Sequence, residues 1–327
     1  MGFYLNSRAA YTLYQSEAGQ PYFVDKTKML GELFPFVKTG NRHICLTRPR
    51  RFGKTMIANM IASFFTKACD TKLRGLLKYR PYVQFAYMTG ILPISKYSSG
   101  SELNMFAEYT MAKSRMFSEY FGFSDSEVDM LYVRYCENQE EPHYVEREEL
   151  RRWYDGYAAP SGNRIYNPRS VVLALVNNNL DNYWTSSGPY DEIFCYIRNN
   201  VDSVRDDLVL MVSGTSVPLK LQLYAATSQN LKTKEEILSA MVVYGFLSYE
   251  NGAVSIPNKE LMDKFADMMM RKASLGYVYQ LAKESERMLK ATLAGDTDTM
   301  EEILELVHDT VTPILAKNTD VRWKSQC

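Results

Sequence analysis

The chain has 327 residues, 46% of them hydrophobic, with 38 basic and 38 acidic side chains, and this zero formal net charge argues against a whole-chain polyanion binder while leaving a local basic patch open. No apolar run approaches the roughly 18 residues of a membrane span, so no membrane partner is expected. Five widely spaced cysteines without a Cys-x-x-Cys fit a reducing, cytoplasmic setting and argue against zinc, and three histidines are too few to suggest a histidine-based metal or triad site.

Residues 1–42 open with a predicted helix, a turn at Gly19-Gln20-Pro21 and an extended piece, Tyr22-Phe23-Val24. Asp25-Lys26-Thr27 then starts a helix to about Val37, with Asp25 as its expected N-cap. From His43 to Phe65 the pattern reads strand, tight loop, helix. His43–Leu46 is the buried run, and Met56, Ile57, Met60, Ile61, Phe64 and Phe65 recur at helical spacing. Between them Arg50-Arg51-Phe52-Gly53-Lys54-Thr55 follows Arg48-Pro49, which is the plan of a P-loop. Backbone N–H groups of Arg51 to Gly53 would cradle phosphate. Lys54 would reach the β- and γ-phosphates, and the Thr55 hydroxyl would hold Mg²⁺. Arg50 or Arg51 would add charge. The departure is at the first glycine of the pattern, where Arg48 stands before Pro49 and stiffens the bend. The alternative is an ordinary strand–turn–helix whose loop is merely cationic.

Tyr82–Met88 reads as a second buried strand ending at Thr89-Gly90, giving a right-handed parallel crossover. Ligands in such sheets lie beyond the C-terminal strand ends, so Thr89 is a candidate sensor; a strand-terminating threonine is the alternative. Residues 91–112 read as a loop into a helix, with Ser101 as cap, Leu103–Met111 as body, and Lys96 and Asn104 as lining candidates. The helical pattern resumes over Met116–Phe121 and stops at Gly122. Ser124-Asp125-Ser126-Glu127 forms a capping box before a helix to about Tyr135, and Glu137–Glu149 reads as a solvated loop or an exposed helix start.

Residues 150–187 are rich in aromatics: Trp153-Tyr154-Asp155-Gly156-Tyr157, Tyr166-Asn167-Pro168 and Tyr183-Trp184, with a helix over Ser170–Leu180. Packing of a small helical lid and a ligand or partner surface are the two readings. Residues 206–212 fit helix or strand. Lys232–Leu247 predicts a helix capped near Thr233. A hairpin around Asn251-Gly252 follows, then a helix Lys259–Met270 opened by Pro257-Asn258. Helix, wing, helix is winged-helix order. With Glu250 on the wing and few basic residues, packing or a protein partner is expected ahead of nucleic acid. One or two further helices, broken at Gly295-Asp296, fill 276–316.

Taken together, these segments resemble the bacterial AAA-ATPase-like family whose members usually carry a C-terminal PD-(D/E)xK nuclease-like domain. The residues that carry the resemblance are Tyr22–Thr27, Leu46–Thr55, Ala86–Ile94, Trp153–Tyr157, Tyr166–Ser170 and Ile256–Glu260, in family order. The resemblance implies ATP and Mg²⁺ as ligands, and an arginine at the first P-loop glycine is a habit of that family. It also implies a strand ending in Asp-Glu (the Walker B segment) between the loop helix and the Met-Thr-Gly strand; no residues between Phe65 and Tyr87 form one, so that segment is expected to be deleted. The nuclease-like carboxylates and lysine have no counterpart after residue 316.

The expected fold class is α/β: a reduced P-loop parallel sheet, then a mainly helical region with a winged-helix-like subdomain. The expected organisation is a P-loop domain over 1–112, a helical aromatic-rich region over 113–230, a winged-helix-like and helical region over 231–316, and a frayed tail over 317–327. The sheet is expected to keep two strands, with an edge exposed. The expected function is ATP binding with hydrolysis weak or absent. The alternatives are an interaction module with a vestigial loop, or an inactive remnant of a longer ATPase-nuclease.

Overall fold

The fold is that of a computed structural model of the full chain. It describes residues 8–37, 39, 41–65, 85–92, 106–138, 142–184, 204–223, 231, 233–270, 284–285 and 287–305. The expectations for residues 66–84, for Lys96, Ser101 and Asn104, and for the tail lie outside the described residues. The chain divides into two compact units, residues 1–204 with 216–263, and residues 205–215 with 264–327.

In the first unit Ile44, Cys45 and Leu46 are too apolar to sit at a sheet edge. They form β1 (His43–Thr47), the middle strand of a parallel sheet of order β2–β1–β3. β2 (Ala86–Gly90) pairs with it from His43↔Ala86 to Thr47↔Gly90. β3 (Ala107–Thr110) pairs on the other side, from Ile44↔Ala107 to Thr47↔Thr110. β3 overturns the helix expected over Leu103–Met111. The helix formers there set the local preference, and pairing with the second edge of β1 overrides it. Among the described residues the sheet is therefore three-stranded, and both edges of β1 are covered. Met116–Phe121 likewise holds only a 3-10 turn, Ser118–Tyr120, because Phe117 stands at φ 61, a left-handed conformation that a helix excludes.

α1 (Ala9–Ala18) packs on α3 (Lys54–Phe65), the helix after the loop. α2 (Met29–Val37) buries Met29, Leu33 and Val37 at four-residue spacing and sets Phe36 edge-on to Tyr109. Asp25 closes the turn before α2 by accepting from the Thr27 N–H at 2.8 Å. A second core joins α4 (Asp125–Asn138), α5 (Arg147–Tyr154) and α6 (Pro168–Asn177) around Leu131, Tyr135, Leu150, Tyr154, Tyr166 and Val171. The aromatic stretch is thus largely core, as Tyr154, Tyr157, Tyr166 and Trp184 are all buried. The capping box at α4 forms as expected. Its Glu127 also pairs at 2.6 Å with the buried Lys26, tying the Tyr22–Thr27 segment to that core.

A short hairpin, β4 (Tyr157–Ala158) with β5 (Arg164–Ile165), was not foreseen. Residues 204–212 are helical (α7), which resolves that alternative. β6 (Val217–Pro218) precedes α8 (Lys234–Tyr244), which carries a full capping box between Thr233 and Glu236. β7 (Ser248–Glu250) and β8 (Ala253–Ser255) form the expected hairpin. Both turn residues have positive φ, 50° at Asn251 and 84° at Gly252, the type I′ geometry that matches strand twist. β6 adds a third strand on β8, and α9 (Lys259–Met270) follows. In the second unit, residues 287–294 and 297–305 are helical around the break at Gly295-Asp296, and Arg287 pairs with Glu302 at 2.5 Å. Among the described residues no helix is long and apolar enough to cross a membrane.

Candidate functional site

The chain leaves β1 at Thr47 and must reverse before α3. Two left-handed residues make the turn, Arg51 at φ 70 and Gly53 at φ 77. Glycine adopts this freely, whereas Arg51 needs contacts that hold it there. The first intrahelical bond runs from the Ile57 N–H to the Gly53 carbonyl at 3.0 Å. The N–H groups of Lys54, Thr55 and Met56 therefore have no helical acceptor, and the positive end of the helix dipole faces the loop.

Lys54 folds back over this turn. Its Nζ donates to the Arg48 carbonyl at 3.0 Å and to the Pro49 carbonyl at 2.5 Å. An ammonium has three donors, so one remains. No carboxylate pairs with Lys54 among the described residues. Burial, then the nearby Arg50 and Arg48 charges, push its pKa down to about 8. A half-buried cation in this state is stabilised by an incoming anion. Arg50 is half-buried, with no hydrogen bond or ion pair among the described residues, and Thr55 is exposed on the first turn of α3.

Arg48 has another role. It is 1% exposed, and its guanidinium donates to the carbonyls of Thr47 at 2.8 Å, Tyr109 at 2.9 Å and Phe117 at 3.3 Å. The same group lies 4.6 Å from the Phe121 ring centroid. Burial lowers its pKa to about 10, which leaves it cationic at neutral pH. Arg48 thus joins β1, β3 and the 3-10 turn.

The other loop residues are held by segments distant in sequence. A Cβ built on Gly245 would lie 2.6 Å from the Pro49 Cβ, so the left-handed C-cap of α8 must be glycine for Pro49 to fit. Phe52 is buried edge-on to Tyr157, with centroids 5.0 Å apart, and the Tyr157 hydroxyl donates to the Gly245 carbonyl at 2.8 Å. Arg51 Nη1 donates to the Tyr183 carbonyl at 2.6 Å. The next N–H, of Trp184, donates to Glu260 Oε1 at 2.6 Å, and Ser170 Oγ donates to the same carboxylate at 3.0 Å.

Glu260 is 1% exposed, and burial pushes its carboxyl up to about 7, against the donors from Trp184 and Ser170 and the Arg51 charge. Its folded pKa exceeds the ordinary 4.5, so the native state binds the extra proton between those values and stability falls as pH rises through that window. The span corresponds to about 3 kcal/mol. Urea unfolding at pH 5 and pH 8 should show a smaller loss for Glu260→Gln than for the natural protein. An equal loss would show that Glu260 does not titrate in that window.

The structure brings Arg50, Arg51, Phe52, Gly53, Lys54 and Thr55 to one loop. Thr89 lies on the neighbouring strand, and its hydroxyl donates to the Leu46 carbonyl at 2.9 Å, so its proton serves the β1–β2 seam. Sequence reasoning missed Tyr157, Tyr183, Gly245 and Glu260 as supports of the loop. Tyr157 and Glu260 lie far from the loop in the chain, and nothing local around them points to it.

Residues 15–76 match the model of a family described as predicted AAA-ATPase. An uncharacterized protein in the vnfD 5′ region of Azotobacter chroococcum mcd 1 is 28% identical over 107 residues, covering 33% of this chain. The match spans about a fifth of that protein's length, 19%. No solved structure matches the chain. The part of the chain similar to predicted AAA-ATPases holds the Tyr22–Thr27 segment, β1, the loop and α3.

Proposed function

We propose that the loop between β1 and α3 binds the phosphates of ATP together with Mg²⁺, and that hydrolysis is slow or absent. The observation that carries this reading is Lys54: an ammonium set over the N-terminus of α3, with one donor unused and no carboxylate partner among the described residues. The Arg51–Gly53 backbone and the first N–H groups of α3 cradle the phosphates, and Arg50 adds the mobile charge. Arg51 contributes through its backbone and through its grip on Tyr183. Thr89 acts by holding the seam below the loop.

No group of three or more His, Cys, Asp or Glu among the described residues can hold a metal ion. The exposed Thr55 hydroxyl is the loop side chain that would hold Mg²⁺, and the ion would supply neutralisation of the phosphate charge. Efficient hydrolysis also needs a carboxylate at a neighbouring strand end. Among the described residues, β1, β2 and β3 end in Thr47, Gly90 and Thr110, none of them a carboxylate, which supports weak turnover.

The winged-helix-like segment 234–270 acts in this reading as a support for the loop and a surface for a protein partner. α8, the helix before the wing, buries Ile237 to Val242 without a break, which leaves no face to enter a DNA groove.

A fluorescent ATP analogue tests the proposal. Lys54→Ala removes a charge-assisted contact and should weaken binding about 10- to 100-fold. Arg50→Ala should weaken it about 5- to 10-fold without lowering the unfolding midpoint. Phosphate release by the natural protein should stay near background. Equal affinity of natural and Lys54→Ala proteins removes the proposal.

A further inference from the structure

We infer that Glu260 is the positioning residue of the phosphate loop, acting through the Asn182–Trp184 segment on Arg51. The inference rests on the nucleotide-binding reading above and adds what sets the loop's shape. The chain of contacts is continuous. The Glu260 carboxylate accepts from Trp184 N–H at 2.6 Å and from Ser170 Oγ at 3.0 and 3.1 Å, and its backbone carbonyl accepts from Asn182 Nδ2 at 2.8 Å. Both ends of the Asn182–Trp184 segment are thereby fixed to the first turn of α9. The carbonyl between them, of Tyr183, takes the Arg51 guanidinium at 2.6 Å.

Arg51 is the loop residue that most needs such support. It is not glycine, yet it stands at φ 70, and the next turn residue, Gly53, leads directly into Lys54. A non-glycine residue stays left-handed only where its surroundings over-determine it. Without the Tyr183 carbonyl, Arg51 relaxes toward negative φ, and the backbone that follows it into α3 is displaced. The carboxylate reinforces this directly, because its charge acts on the Arg51 guanidinium across the segment it holds. Ser170 supports the arrangement from the start of α6, where Asn167 caps the helix by accepting from the Ser170 N–H at 3.3 Å. The start of α6 and the Asn182–Trp184 segment therefore meet at the Glu260 carboxylate, and the loop joins them through the Tyr183 carbonyl.

The test uses the full-length protein with Glu260→Ala, Glu260→Gln, Arg51→Met and the double variant Arg51→Met/Glu260→Ala. The first readout is amide hydrogen exchange of residues 48–56 without nucleotide. Glu260→Ala and Arg51→Met should each speed exchange there about tenfold or more, while Glu260→Gln, which keeps an acceptor for Trp184, should stay within about threefold. The second readout is the Kd for ATP·Mg²⁺, taken well below each unfolding midpoint. Each of Glu260→Ala and Arg51→Met should weaken binding about tenfold, and the double variant should be no weaker than either, because both act through one contact. Unchanged exchange at 48–56 in Glu260→Ala, or additive losses in the double variant, overturns the inference. If Glu260→Ala does not fold, Arg51→Met and Glu260→Gln carry the same comparison through the exchange readout. Failure of nucleotide binding in the natural protein, with loop exchange responding as expected, removes the nucleotide reading and leaves the positioning role standing.

Discussion

Gly156→Ala should abolish folding of the first unit or lower its stability by more than about 4 kcal/mol. Gly156 stands at φ 113, and a Cβ there would lie 1.8 Å from the Pro257 carbonyl oxygen and 2.7 Å from its carbon. Neither atom is a flexible side-chain end. Relief would require the backbone before α9 to move, and α9 begins with Lys259 and Glu260, next to the support for Arg51. The loss of about 4 kcal/mol is a large share of the roughly 5–15 kcal/mol that holds a domain together. Gly162→Ala is the matched control: its φ is 91, but nothing lies within 4 Å of the added atom. It should cost only backbone strain, about 1–2 kcal/mol. Urea unfolding of the two variants separates crowding from strain; similar midpoints would contradict the close approach of Gly156 and Pro257.

Arg48→Gly restores the P-loop pattern and should nevertheless damage the protein, by about 3–5 kcal/mol. The substitution removes a 1% exposed guanidinium and leaves the carbonyls of Thr47, Tyr109 and Phe117 without their donor, and it opens a cavity against Phe121. The same change two residues on, Arg50→Gly, should shift stability by no more than about 0.5 kcal/mol, since that side chain has no partner among the described residues. Thermal unfolding of the pair decides the point. A neutral Arg48→Gly would mean that Arg48 is a spare phosphate ligand.

These two residues also mark what could be read from the sequence. β1, the loop and α3 were legible because their signals are local: a short apolar run, a Gly-Lys-Thr at the turn into a helix, and apolar spacing along one helix face. The α4 and α8 capping boxes and the Asn251-Gly252 hairpin were legible for the same reason. β3 was not. Ala107-Glu108-Tyr109-Thr110, three half-buried residues and a buried threonine, have no strand pattern of their own, and only the open edge of β1 makes them one. The loop's supports were hidden too, since Pro49 against Gly245, Phe52 against Tyr157, and Arg51 against Tyr183 each join segments far apart in the chain. Arg48 read as a defect of the motif. In the fold it is a structural cation, which is why the motif tolerates it.

The central claim is that Lys54 awaits a phosphate. Calorimetric titration of the full chain with ATP·Mg²⁺ at pH 7 and pH 9.5, beside Lys54→Ala, tests it most directly. The Lys54 ammonium titrates at about 8, so its charge is present at the lower pH and largely lost at the higher. The expected result is a saturable isotherm at pH 7, an affinity at least about tenfold lower at pH 9.5, and weak, pH-independent binding in Lys54→Ala. Binding by the natural protein that neither pH 9.5 nor Lys54→Ala weakens would contradict the account.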